Sequence, residues 1–265
     1  MPERPVVSRS LAVITGASSG IGLAFAQRLA PRHDLLLIAR REARLREIAA
    51  ELSARHGTRV EVLAADLAEP QALAAVAARI GAEASLGLLV NNAGFGHRGA
   101  FWDADLEVLE AMHRLHIMAV VRLTHAALRV LVAKNSGAVI NVASVAAFGQ
   151  RAGNTAYGAT KAWLATFSEG LYLDLEQTNS AVTVQALCPG FTYSAFHDLL
   201  GEDRRKLAPA SLWLTAERVV DESLAALPRR QLVVVPGWRY RWLVGVLTKL
   251  PLGIKLTLEA RSGAP

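Results

Sequence analysis

The chain has 265 residues, 52% of them hydrophobic and 20% charged, enough apolar content to bury a sizeable core and to exclude wholesale disorder. Lys and Arg number 29 against 23 Asp and Glu, a formal charge of +6, which leaves nucleic acid, an anionic surface or an anionic cofactor as candidate partners. The lone Cys188 excludes an intrachain disulfide and a cysteine-rich zinc site, and no metal is expected. Residues 1–10 carry no apolar core of an export signal, so a cytoplasmic location is expected. The arginines are scattered and no nucleic-acid-binding motif accompanies them, so nucleic acid is not an expected partner.

Short apolar runs at 11–15, 35–39, 60–64, 86–91, 138–143, 182–187 and 232–235 predict strands. Their near-continuous Val, Ile and Leu content suits strands buried on both faces. Between them, helical patterns cover 21–30, 42–55, 70–80, 106–133, 157–177 and 217–227. This alternation predicts an α/β fold: a doubly wound parallel sheet in a three-layer α/β/α domain over 1–237, with an amphipathic extension over 238–265. A membrane span needs about 20 apolar residues. The extension is broken by Arg239, Arg241, Lys249 and Lys255, and the run 135–150 is laced with polar residues, so neither reads as one.

The first predicted strand runs into Gly16-Ala17-Ser18-Ser19-Gly20-Ile21-Gly22. Glycines allow a tight turn and let backbone N–H groups approach a pyrophosphate where the following helix begins. The spacing is G-x-x-x-G-x-G, not the commoner G-x-G-x-x-G. The second strand ends at Ala39 and is followed by Arg40 and Arg41, whereas an NAD site usually places an acidic residue near here for the ribose hydroxyls. Asp34 lies at the strand's beginning, the wrong end to serve. NADP(H) is therefore predicted over NAD(H), with Arg40 on the 2′-phosphate and Arg41 beside it. The alternative is that both arginines merely open a solvated helix.

Ser144 follows the fifth predicted strand, Tyr157 comes 13 residues later, and Lys161 shares a helix face with Tyr157 four residues on. A free tyrosine has a pKa of about 10. A neighbouring ammonium is expected to lower it towards the range of a working acid or base, while the serine hydroxyl bonds the reacting oxygen.

These residues together resemble the short-chain dehydrogenase/reductase family in its compact-subunit, NADP-dependent branch, which has a Rossmann-like fold. The resemblance rests on Thr15-Gly16-x-x-x-Gly20-x-Gly22, Asp66, Asn91-Asn92-Ala93-Gly94, Ser144, Tyr157-x-x-x-Lys161 and Pro189-Gly190, in family order over about 11–235. It implies that Gly16, Ser18, Ser19, Gly20, Ile21 and Gly22 cradle the cofactor's phosphates and adenosine ribose. Asp66 and Leu67 would meet the adenine, and Asn92, Ala93 and Gly94 would line the path to the nicotinamide. Pro189 and Gly190 would face the nicotinamide, with Thr192 and Ser194 at its carboxamide. Tyr157 would give or take the proton, Lys161 would hold the nicotinamide ribose and tune Tyr157, and Ser144 would orient the substrate oxygen.

One position departs from the family pattern. His116, in Leu115-His116-Ile117 ahead of Arg122-Leu123-Thr124, stands where the family has an asparagine that helps hold a water on the proton path. Three readings stay open: a tolerated replacement, an imidazole that joins the proton relay as a catalytic group, or an impaired enzyme. This modified site also leaves a non-catalytic NADP-binding or sensing protein as the alternative function.

In the family, the segment after Pro189-Gly190 sets substrate choice. Here it carries Phe191, Tyr193, Phe196, Leu199, Leu200, Leu212 and Trp213, which suggests a lid over 191–215, with about half of these residues packed against the core. Phe95, His97 and Phe101 are candidates for the same pocket, and a hydrophobic ketone, acyl or steroid-like carbonyl is the expected substrate. In the extension, Arg241, Gly245, Thr248 and Lys249 share one helical face, and Trp242, Leu243, Val246 and Leu250 form an apolar surface. That surface fits a peripheral membrane contact, a cover over the cleft or a dimer contact. A homodimer is expected through the helices over 106–133 and 157–177, with a tetramer as the alternative.

Overall fold

The computed structural model describes residues 9–193 and 208–262. A seven-stranded, wholly parallel sheet has the order β3-β2-β1-β4-β5-β6-β9. Its strands are β1 (Leu11–Thr15), β2 (Asp34–Ala39), β3 (Val60–Ala64), β4 (Leu86–Asn91), β5 (Ala138–Val142), β6 (Thr183–Leu187) and β9 (Val233–Val234). Two short strands, β7 (Thr192–Tyr193) and β8 (Leu214–Thr215), pair separately. Helices α1 (Gly20–Leu29), α2 (Glu42–His56), α3 (Pro70–Gly81), α4 (Leu106–His113), α5 (Val120–Ala133), α6 (Thr155–Gln177) and α7 (Ala216–Ala226) flank the sheet. The doubly wound, Rossmann-like α/β fold expected from the strand–helix alternation is the fold observed.

Successive strand residues point to opposite faces, so one apolar run supplies two cores. Ala12 and Ile14 of β1 join Phe25, Leu45 and Ile48 on one side, while Leu11 and Val13 join Leu73, Val76 and Leu123 on the other. All five residues of β1 and of β5 are buried, which is why these strands read as unbroken hydrophobic stretches. The strand order reverses between β1 and β4, and a ligand crevice opens at the C-terminal ends of strands at such a point.

Most predicted boundaries fall within two residues of those observed. The expected helix over 106–133 is continuous, but between α4 and α5 it passes through one wider, π-helical turn, Arg114–Ala119, and His116 sits on it. That run of 28 residues contains an 18-residue window with a mean hydropathy of 1.5, long and apolar enough by composition to cross a bilayer. Here it is a core helix, burying Leu109, Met112, His116, Ala119, Val120, Leu123, Ala127 and Leu131 along one stripe.

The extension forms two helices, α8 (Trp238–Leu247) and α9 (Leu252–Ser262), separated at Pro251, which has no N–H to give an α-helix. The face that packs inward is Tyr240 and Val244, while Trp242, Leu243 and Val246 are exposed.

Candidate active site

Four strand ends converge on the crevice. After β1 the chain turns sharply at Gly16 and Gly20, with φ of +66° and +55°, a region that glycine enters without steric penalty. Thr15 holds the turn to β4: its Oγ1 accepts the N–H groups of Asn92 and Ala93, both at 2.9 Å, and donates to the Val90 carbonyl at 3.3 Å. The Asn92 amide donates back to the carbonyls of Thr15 at 2.9 Å and Gly16 at 3.3 Å. Its amide thus braces the turn, and Thr15 is a framework residue that the motif carried without an assigned role.

α1 begins at Gly20 after the extended Ser19, with no acidic residue in its first turn and no side chain capping it. The free N–H groups of that turn make a site for an anion. Arg41 reaches over it: Nε and Nη2 donate to Ser18 Oγ at 3.3 and 3.0 Å, and Nη2 also to Ser19 Oγ at 3.0 Å. Arg40 points elsewhere, its guanidinium exposed and 3.7 Å from the Asp66 carboxylate. The expected pair of arginines is present, but Arg41, not Arg40, is brought onto the glycine turn. Asp66 also accepts the Ala68 N–H at 3.0 Å, while the Leu67 side chain is buried in the core, leaving only its backbone for any ligand contact.

Ser144 follows β5 in extended conformation, and its hydroxyl accepts the Ala146 N–H at 3.1 Å. α6 brings Tyr157 to it, and the two side chains are hydrogen-bonded. One turn further, the buried Lys161 donates to the Val142 carbonyl at 2.9 Å, with its Nζ 5.6 Å from the centre of the Tyr157 ring. Desolvation pushes the Tyr157 phenol up to about 12, against smaller downward pulls from the Ser144 hydrogen bond and the Arg98 charge. Desolvation also brings Lys161 down to about 8. The expected lowering of Tyr157 by its lysine is not what this structure has. Loss of water around the phenol outweighs the neighbouring charges, because an anion is far costlier to strip of solvent than a neutral hydroxyl. Arg98, the charge that does pull on Tyr157, lies outside every motif.

His116 is fully enclosed. Nε2 accepts the Phe95 N–H at 3.2 Å, which puts the proton of the neutral ring on Nδ1. Nδ1 then donates to Thr160 Oγ1 at 2.9 Å, and the Thr160 hydroxyl donates to the Tyr157 carbonyl at 2.8 Å. Burial, followed by the charge of Lys161, holds this imidazole well below its usual pKa. Both nitrogens are thereby engaged with groups other than Lys161.

After β6, the Pro189 carbonyl accepts the Val145 N–H at 3.0 Å, and Thr192 Oγ1 donates to the Gly190 carbonyl at 2.9 Å. Tyr240 of α8 lies against this turn, and its hydroxyl accepts the Phe191 N–H at 3.0 Å and donates to the Leu212 carbonyl at 2.7 Å. No local signal marked Tyr240, which is 49 residues from Phe191. Ser194, Phe196, Leu199 and Leu200 lie outside the described residues. Phe191 and Leu212 pack on the core, Trp213 is buried beside Phe191 and Tyr193, and Tyr193 is exposed. A shallow recess, open to solvent, is lined by His97, Phe101, Leu109, Asn154 and Tyr157 among others. Phe95 instead packs near the His116 ring.

The family model for short chain dehydrogenases matches residues 10–205. The chain belongs to the short-chain dehydrogenase/reductase family. It is an oxidoreductase of that family, whose members act on alcohol and carbonyl groups. Among its relatives, a 7β-hydroxysteroid dehydrogenase of Collinsella aerofaciens is 31% identical over 229 residues, 86% of each chain. A short-chain dehydrogenase from Sphingobium yanoikuyae, solved in complex with NADPH, is 36% identical with a TM-score of 0.82, covering 92% of this chain and 97% of its own. The bulky-bulky ketone specific alcohol dehydrogenase from Comamonas testosteroni is 31% identical with a TM-score of 0.78, covering 93% of this chain and 96% of its own.

Proposed function

We propose that this short-chain dehydrogenase/reductase uses NADP(H) to interconvert a carbonyl and a secondary alcohol on a bulky, apolar substrate. The observation that carries the reading is the convergence of Ser144, Tyr157 and Lys161 beside the recess that opens between His97, Phe101 and Asn154. The glycine turn, the open first turn of α1 and the Arg41 fork fit a phosphorylated dinucleotide, and the Arg41 charge favours one with a 2′-phosphate. When bound, the dinucleotide supplies or accepts the hydride.

In reduction, Ser144 holds the substrate oxygen and Tyr157 gives it the phenolic proton, leaving a phenolate. That phenolate is the costly species in a desolvated site. Arg98 pulls on it in the resting site, and once the phenolate forms, the Lys161 ammonium, 5.6 Å from the ring centre, adds a second stabilising charge. In oxidation the same phenolate takes the alcohol proton. His116 acts as a brace, holding Phe95 and the Tyr157 carbonyl in place rather than passing protons. The apolar substrate class draws on the recess-lining Phe101 and the Phe191–Trp213–Tyr193 cluster, and on relatives whose names specify steroids and bulky ketones. The proposal includes a cytoplasmic homodimer, formed through the outer sides of α5 and α6, where Val132 and Leu173 are exposed.

NADPH absorbance followed across a panel of bulky ketones and ketosteroids tests the reading. NADPH-dependent turnover that disappears in Tyr157→Phe is the expected result. Tight NADPH binding without turnover on any of them would sink it in favour of a sensing role.

A further inference from the structure

α9 meets the rest of the chain through its charged residues and shows its leucines to solvent. Lys255 and Glu259 are its shielded side chains, paired at 3.9 Å, and Glu259 lies directly against Gly149. Leu252, at 69% exposure, Ile254, Leu256 and Leu258 are all open. α8 is arranged alike. Tyr240 and Val244 face inward, while Trp238, Trp242 and Val246, spaced by four, make an outward apolar stripe with Leu243 beside it. Trp242 is 69% exposed. Single exposed apolar residues are ordinary, but eight on two consecutive helices mark a surface that is covered in use.

The charge around this patch identifies what covers it. Within 238–260 the single acid, Glu259, is turned inward beside Lys255, and Arg241 is paired with Glu222 of α7 at 2.9 Å, which leaves Arg239 and Lys249 as the outward cations. The Arg239 guanidinium stacks over Trp238, 5.2 Å from its ring centre, and Lys249 is exposed. A second copy docking through the same patch about a two-fold axis would set Arg239 and Lys249 against themselves, with no acid of α8 or α9 turned outward to answer them. An anionic phospholipid surface answers both features. Its acyl boundary takes the leucines and indoles, and its headgroups take the basic rim.

We propose that α8 and α9 form a lipid-docking face that seats this protein on anionic bilayers. The face also adjoins the site, since Leu247 and Glu259 lie over Gly149, five residues beyond Ser144. The docking itself does not depend on which substrate the site takes.

The test uses the full chain with vesicles of phosphatidylcholine alone and of equimolar phosphatidylcholine and phosphatidylglycerol. Flotation should recover about tenfold more protein with the anionic vesicles, since each basic residue near such a surface multiplies binding several-fold. High salt should reverse much of that difference. Tryptophan emission should be quenched by brominated acyl chains. The double variants Trp242→Ser/Leu256→Ser and Arg239→Glu/Lys249→Glu should each lose about tenfold of the binding while keeping their circular dichroism and their NADPH affinity. Equal recovery on both vesicle types, or wild-type-like binding by folded variants, would overturn the proposal. So would a vesicle-free assembly that Trp242→Ser/Leu256→Ser reduces in size, because a second copy would then be the occupant. The salt and quenching measurements on the wild-type chain decide the matter even if a variant fails to fold.

Discussion

Tyr240 lies so close to Gly190 that a Cβ placed on the glycine would overlap the tyrosine ring. The ring therefore requires glycine there, and its hydroxyl bridges Phe191 to Leu212. A helix beyond the last strand of the sheet thus braces the turn proposed to face the nicotinamide.

Gly190→Ala is expected to destabilise the protein by about 1–3 kcal/mol through overpacking. Tyr240→Phe keeps the ring but removes two hydrogen bonds, each worth about 0.5–1.5 kcal/mol. Both should weaken NADPH binding more than they lower the rate at saturation. Urea unfolding and cofactor titration check this. Because the two residues touch, Gly190→Ala/Tyr240→Ala should be less destabilised than the sum of its single changes. Strict additivity would mean that the contact carries no energy.

For His116, the brace and the proton relay make different predictions. A brace predicts that His116→Asn and His116→Ala share one pH–rate profile, with Ala less stable by about 1–3 kcal/mol because the Phe95 N–H and Thr160 lose their buried partner. Profiles that differ in shape would restore the relay. The lowered pKa also has a sign. Folding favours the neutral ring, so the stabilisation is complete above the unfolded value of about 6.5. It is lost as pH falls towards the lower folded value. His33, lowered by burial as well, contributes in the same direction. Chemical denaturation between neutral and mildly acidic pH should show a shallower decline in His116→Asn than in wild type.

Lys161, brought down to about 8, titrates close to physiological pH. If its ammonium stabilises the Tyr157 phenolate, kcat/KM for reduction should fall about tenfold per pH unit above roughly pH 8, since that parameter follows the free enzyme. Tyr157→Phe should lower the rate by about 10²–10⁴ without unfolding the chain. A flat profile to strongly alkaline pH would exclude the ammonium from that role.

Arg41→Glu should weaken NADPH binding by about 10–100-fold and leave NADH nearly untouched, the loss of a charge-assisted contact being worth about 1.5–3 kcal/mol. Arg40→Asp should have a much smaller effect, because its guanidinium stands over Asp66 rather than over the glycine turn. Titration of both cofactors into both variants measures the difference, and equal effects would return Arg40 to the site.

The sequence alone determined the parallel sheet, the glycine turn and the Ser144–Tyr157–Lys161 spacing, because each is written over short distances. A strand buried on both faces shows as one apolar run, a dinucleotide turn needs glycines at fixed steps, and two residues four apart share a helix face. Tertiary structure alone decided the rest. It laid the Arg41 side chain over the glycine turn and left Arg40 beside Asp66, because side-chain direction after β2 depends on how α2 packs. It raised Tyr157 instead of lowering it, because desolvation comes from surroundings that no motif encodes. It placed the π-helical turn at His116 inside an otherwise even apolar pattern and joined that ring to Phe95 and Thr160. It brought Tyr240 of the extension onto Gly190, a contact between residues 50 positions apart, which only the folded chain can make.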